Sequence, residues 1–139
     1  DKGDINMLKH FKNWFSKSEN ESEIEIHLPK NANATFELKI DKVVIGKLHC
    51  EGGEWQFMYT EEFKKLRHQY NHIAGFSNLD KVYHNDTLWP FFQTRIPGLK
   101  QPVVKEILKK ENINETNELE LLKRFGKKTI SNPYELDLV

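Results

Sequence analysis

Residues 43–59 read VVIGKLHCEGGEWQFMY, two strand-like segments on either side of a turn signal. Val43 to Cys50 is a run rich in β-branched residues, and in the second segment Trp55, Phe57 and Tyr59 place an aromatic ring at every second position. Between them, Gly52-Gly53 supplies residues that accept the positive φ angles of a tight hairpin. The stretch therefore predicts an antiparallel β-hairpin with one aromatic face.

The period of two extends upstream of this hairpin. Apolar and polar residues alternate over residues 36–40 and again over residues 23–28. Turn-forming residues separate these segments, at residues 31–33 and at Asp41-Lys42. We expect a small antiparallel meander of three to four strands, with one face available for packing by helices.

Downstream of Thr60 the apolar period changes to that of a helix. Apolar residues at positions 63, 66, 70 and 73 share one face, Thr60 is the predicted N-cap and Gly75 lies beyond the predicted end. His68 and His72, four residues apart, would share a face of this helix. Without a third ligand in sequence reach, this spacing favours a solvated helix face over a zinc site.

Three further helices complete an α+β pattern with about four helices. A short helix is predicted over residues 88–96, with Pro90 in a first turn capped by Asp86 or Thr87. A second begins at Pro102, and a third ends on Gly126.

The first 22 residues differ from the rest. Apolar residues recur at helical spacing over residues 5–15, and the polar run 16–22 is typical of a linker. We therefore divide the chain into an amphipathic helix with its linker, residues 1–22, and one domain, residues 23–139. The helix either packs on its own domain or acts as an arm that packs on a partner.

Composition excludes several classes of function. The 21 basic and 21 acidic residues cancel, so no overall field attracts the chain to nucleic acid or to an anionic membrane. The single cysteine, Cys50, excludes an internal disulfide and is interpreted as a buried strand thiol. No stretch is apolar over roughly 18 residues and no signal peptide is recognisable, which predicts a cytoplasmic protein.

Catalytic motifs are missing from the sequence. There is no Gly-x-Ser-x-Gly elbow, and Gly52-Gly53 joins two strands instead of opening a helix as a phosphate-binding loop does. We predict a protein that is not an enzyme and that needs no cofactor or metal. A small enzyme of unrecognised type stays open, and its sign would be a pocket with several coupled titratable groups.

The segment Trp89-Pro90-Phe91-Phe92 points to binding. Two adjacent phenylalanines cannot both lie on one narrow stripe of a short helix. Part of this aromatic surface is therefore expected outside the core, where tryptophan and phenylalanine often form the centre of an interface. The alternative is a wholly internal role.

Several motifs, in order along the chain, resemble the N-terminal domain of the HipA toxin kinases. Gly46-Lys47-Leu48 followed by Phe57-Met58-Tyr59 is similar to the family's opening strands, and Leu88 to Gly98 is similar to its Phe-Phe-x-x-Leu-Leu-Pro-Glu-Gly turn. Glu118 to Gly126 resembles its Leu-Leu-x-x-Phe-Gly helix. The resemblance covers roughly Phe36 to Leu136, although the glutamate of the Pro-Glu-Gly turn is absent here.

The resemblance implies a stand-alone, HipS-like component of a split, three-part toxin–antitoxin system, without the kinase part. Its partner would be a HipT- or HipA-like serine/threonine kinase core, which the chain would restrain. An alternative is an accessory subunit of a complex with a helix-turn-helix, HipB-like repressor, with no direct contact to nucleic acid. The residues assigned to partner binding are Trp89, Phe91, Phe92, Arg95, Pro97 and Gly98.

Overall fold

A computed structural model describes residues 25–139, which form a five-stranded antiparallel sheet with helices against one face. The strand order is β4-β3-β2-β1-β5. The strands are β1 Ala34–Ile40, β2 Val43–Glu51, β3 Glu54–Tyr59, β4 Tyr83–Asn85 and β5 Glu135–Leu138. The predicted α+β class is confirmed, and the sheet in the described part of the chain has at least one strand more than expected.

The two central hairpins have the predicted turns. Gly52 and Gly53 have φ angles of 61° and 80°, and Asp41 and Lys42 have φ angles of 49° and 70°. Positive φ at both central residues matches the twist of the flanking strands. The turns fix a register that pairs Leu48 with Phe57 and with Phe36, so large side chains from three strands meet on one face.

That face forms the main core. Trp55, Phe57 and Tyr59 all point inward and are almost completely buried, as their alternation predicts. Cys50 on β2 is also fully buried, which confirms the predicted strand thiol. The opposite face carries polar side chains and the partly exposed Met58.

The strand predicted over residues 23–28 is wrong for its described part. Residues 25–28 are outside the sheet, and only His27 forms an isolated bridge, to Asn117. Leu28 packs into the main core, and Ile26 packs against a second apolar cluster. The alternating apolar residues Ile26 and Leu28 are therefore packed against the two clusters without pairing as a strand. The predicted amphipathic helix and linker, residues 1–22, lie outside the described residues.

The helix predicted after Thr60 begins as expected but is much shorter. Helix α1 covers Glu61–Lys65, and the Thr60 hydroxyl accepts a hydrogen bond from the Phe63 amide, which confirms the cap. The predicted continuation to residue 73 is wrong. The Ile73 amide donates to the Tyr59 hydroxyl at 3.0 Å, whereas in a helix it would donate to the carbonyl four residues earlier.

Three helices follow: α2 Pro90–Gln93, α3 Pro102–Lys110 and α4 Glu118–Phe125. The N-cap of α2 is Trp89 instead of the predicted Asp86 or Thr87, because Pro90 occupies the first helical position. Pro102 and Gly126 bound α3 and α4 as predicted. Within residues 25–139 the structure contains no helix with the length and apolarity required to cross a membrane.

Candidate functional site

The segment from Leu88 to Leu99 contains every residue predicted to bind a partner. Helix α2 turns its two phenylalanines in different directions, because successive helical residues are separated by about 100°. Phe92 is completely buried and lies 5.6 Å from the Phe57 ring, whereas Phe91 stays half-buried. The adjacent aromatic pair is thus divided between core and surface.

Trp89 remains partly exposed on one side of Phe92. Its indole meets the Phe76 ring edge-on, with 5.2 Å between the centroids, and lies 6.5 Å from Phe92. Both supporting rings are fully buried. The indole is therefore held in place by the core of the domain.

Phe91 lies on the other side of Phe92 and extends the aromatic surface towards the C-terminal part of the chain. Its ring meets Tyr134 edge-on, with 5.8 Å between the centroids. Tyr134 is half-buried, and burial raises the pKa of its phenol. We call Trp89, Phe91 and Tyr134 the aromatic ridge. Tyr134 was not predicted from the sequence, where only its position after Pro133 distinguishes it.

A buried carboxylate holds the start of the segment. Glu118, the first residue of α4, is 3% exposed. It accepts hydrogen bonds from the Trp55 indole at 2.7 Å and from the Leu88 amide at 3.3 Å. The carboxylate thus links the sheet, the entry to α2 and the start of α4. Desolvation by burial raises the pKa of Glu118, and these hydrogen bonds offset part of that rise.

We expect the stabilising role of Glu118 to depend on pH. A carboxyl with a raised pKa keeps its proton longer in the folded state, so its contribution to stability falls as pH rises from the ordinary value of 4.5 through the folded pKa. In Glu118→Gln the amide accepts only one of the two hydrogen bonds, which costs about 1–3 kcal/mol at low pH. Urea unfolding at several pH values should show the gap between the two proteins narrowing as pH rises. A gap that widens would show that the folded pKa is lowered instead.

A buried guanidinium holds the end of the segment. Arg95 is 4% exposed. Its Nη1 donates to the carbonyls of Gly126 at 2.8 Å and Lys127 at 3.2 Å, and its Nη2 donates to the Tyr134 carbonyl at 2.9 Å and to Asn132 Oδ1 at 3.1 Å. Burial lowers the pKa of Arg95 to about 10, so the group stays charged at neutral pH. This side chain joins the end of α2 to the end of α4 and to the approach to β5.

The predicted binding residues therefore have different positions. Phe92 and Arg95 are internal and support the aromatic ridge from beneath. Trp89, Phe91 and Pro97 are half-buried and Gly98 is exposed, so these four present surface to solvent. Binding of a partner by this set stays a prediction.

The two buried charges were not anticipated as structural anchors. Charged side chains are rarely buried without partners, and the partners of Glu118 and Arg95 lie far away in sequence. No local pattern reports such pairing. Among residues 25–139 no group of three or more His, Cys, Asp or Glu side chains is arranged to hold a metal ion.

The comparisons with known proteins give one result. The family model described as the HipA N-terminal domain matches residues 36–131, which is more than half of the chain and contains all of this segment. The matched region runs from β1 to the loop before β5. Neither the curated proteins nor the solved structures with which the chain was compared gave a match.

Proposed function

The chain belongs to the HipA N-terminal domain family, and from this premise we propose that it is a non-catalytic module that docks on a HipA- or HipT-type serine/threonine kinase core and restrains it. The family is one of non-catalytic domains and is associated with toxin–antitoxin systems. Kinase binding is the specific function that we infer for this chain.

The observation that carries the proposal is the rigid support of the aromatic ridge. Glu118 fixes the backbone before α2, and Arg95 fixes the backbone after it. Binding usually incurs an entropic cost for ordering side chains and loops at the interface. Trp89 and Phe91 are already packed on buried rings, so this cost is small for the aromatic ridge.

Docking of the aromatic ridge would restrain a kinase by steric hindrance. A kinase core needs its lobes to close around ATP and needs its substrate groove to be open. A rigid domain bound across either region prevents one of these steps without any chemistry of its own. Partner residues that fit the aromatic ridge would be apolar or would carry a cation for the ring faces.

Co-expression with a HipA-type kinase core from the same organism tests the proposal. We expect the two proteins to co-purify and the autophosphorylation of the kinase to fall when the chain is present. Binding without suppression of autophosphorylation would indicate a structural subunit. Salt-dependent DNA binding by a complex that contains the chain would then favour the alternative, an accessory subunit of a helix-turn-helix repressor complex. A lack of binding would leave the family and the fold but reject the proposed function.

A further inference from the structure

The end of α1 at Lys65 creates an open cavity of about 270 Å³ in the segment that follows it. If the helix continued to residue 73, residues 66–73 would form a continuous helix without this cavity. Instead the chain turns after Leu66 and returns to the sheet at Ile73 and Phe76. The lining residues with mainly apolar surfaces are Phe63, Tyr70 and Leu79, which we call the floor of the cavity; the others, which we call the rim, are polar.

The shape of this cavity is held by a buried phenol. The Tyr59 hydroxyl accepts a hydrogen bond from the Ile73 amide at 3.0 Å and donates to the Phe76 carbonyl at 2.5 Å. The Tyr59 ring stacks on Phe63, with 5.0 Å between the centroids. The segment that lines the cavity is therefore attached to the core on both sides of the opening.

The rim of the cavity carries hydrogen-bond donors and no acid. The lining residues with polar side chains are Arg67, His68, Asn71, His72 and Ser77, all of them exposed. In the part of the chain that the structure describes, no ion pair involves Arg67 or either histidine.

Two acids in the neighbouring segments are paired with one lysine. Glu61 and Asp80 lie 3.0 Å and 3.5 Å from the Lys64 ammonium. The single charge of Lys64 offsets one of these two carboxylates, and Arg67 forms an ion pair with neither of them. The cavity therefore presents one permanent positive charge and several donors to whatever enters it.

We propose that this cavity binds a phosphate monoester. Such a group carries nearly two negative charges at neutral pH and three strong acceptor oxygens, which suits a guanidinium surrounded by imidazole, amide and hydroxyl donors. A carboxylate has fewer acceptors than this rim has donors. The apolar floor suits the carbon atoms that bear the phosphate, so an organic phosphate fits better than the inorganic ion. This site is distinct from the aromatic ridge and does not depend on the proposed function.

Titration of the whole chain, followed by backbone NMR, tests the inference. The probes are inorganic phosphate, phenyl phosphate, a short phosphothreonine peptide and the unphosphorylated peptide. We expect the amide resonances of Arg67, Asn71 and Ser77 to shift with the three probes that contain phosphate and not with the unphosphorylated peptide. Phenyl phosphate should bind severalfold more tightly than inorganic phosphate. A preference for the peptide over phenyl phosphate would identify a phosphorylated protein as the source, and the reverse preference a small organic phosphate.

Two variants with the same loss of charge provide the control. Arg67→Ala removes the guanidinium from the rim, and Lys65→Ala removes an exposed cation two residues away that does not line the cavity. Loss of a charge-assisted hydrogen bond should weaken binding about tenfold or more in Arg67→Ala, with less than a twofold change in Lys65→Ala. Equal weakening in both variants would show diffuse attraction to the surface and overturn the site. So would the absence of shifts with every phosphorylated probe, or equal shifts with acetate.

Discussion

Arg95→Ala should destabilise the domain by about 3 kcal/mol or more, a large part of the roughly 5–15 kcal/mol typical of such domains. The change removes a donor from four acceptors. The Lys127 carbonyl keeps the Leu136 amide and Asn132 Oδ1 keeps the Tyr134 amide as donors, whereas the carbonyls of Tyr134 and the buried Gly126 lose the guanidinium without such a second donor. Removal of the guanidinium also relieves its desolvation, which lowers the net loss without cancelling it. Urea unfolding followed by far-UV circular dichroism measures the change.

Two comparisons separate the hydrogen bonds of Arg95 from its charge. Arg95→Lys keeps the charge but replaces the planar guanidinium with a single ammonium group. We therefore expect its free energy of unfolding to lie between those of wild type and Arg95→Ala. Arg124→Ala removes an exposed arginine that pairs with Glu111 at 2.7 Å and should cost much less stability, because water screens an exposed ion pair. If Arg95→Ala were no more costly than Arg124→Ala, Arg95 would not be an anchor of the fold.

Elements whose signals lie within a few neighbouring residues were predictable from the sequence, and elements that depend on residues far away in sequence were not. The hairpin of residues 43–59 was predictable because its alternation and its glycine turn are local. Strands β4 and β5 were missed because each is short and lies at an edge of the sheet. Strand β5 pairs with β1 across nearly the whole described sequence, and no nearby residue reports that pairing.

The failure to extend α1 shows how a tertiary contact overrides periodicity. Apolar residues at 63, 66, 70 and 73 do fit a helical face, yet the intervening residues include two histidines and an asparagine, which add little helix propensity. The Tyr59 hydroxyl then competes for the Ile73 amide. The alternative pattern leaves His68 and His72 outside any helix, and both line the cavity beside Arg67.

The sequence predicted the exposed aromatic residues of the candidate site, but it did not predict the buried side chains that hold them in place. The adjacency of Phe91 and Phe92 was enough to expect that part of the aromatic segment lies outside the core, and the half-buried Trp89 and Phe91 agree with that expectation. The placement of Arg95 beneath the segment depends on carbonyls of the loop after α4. Such contacts exist only after the chain has folded.

Trp89→Ala should weaken the complex with a HipA-type kinase core by about 2 kcal/mol or more, which is roughly thirtyfold in Kd. The indole combines a large apolar area with a fixed orientation on Phe76, so a partner gains its contact without ordering it first. The same change removes packing within the domain, and because Trp89 is half-buried we expect the free energy of unfolding to fall by less than the roughly 3–5 kcal/mol of a fully buried tryptophan. Isothermal titration against the purified kinase core gives the affinity, and urea unfolding gives the stability.

The matched control for Trp89 is Met58→Ala, since Met58 is 38% exposed on the opposite face of the sheet and its truncation should leave the Kd unchanged. Phe91→Ala is the second variant on the aromatic ridge, because Phe91 is supported by Phe92 and Tyr134 and not by Phe76. An unchanged Kd in folded Trp89→Ala would remove Trp89 from the interface. If Trp89→Ala fails to fold, the internal role of the indole dominates, and the affinity of Phe91→Ala then decides whether the kinase binds the aromatic ridge. If Phe91→Ala weakens the binding of the kinase core and Met58→Ala does not, the kinase binds on the face of the sheet that carries the helices, even if Trp89→Ala does not fold.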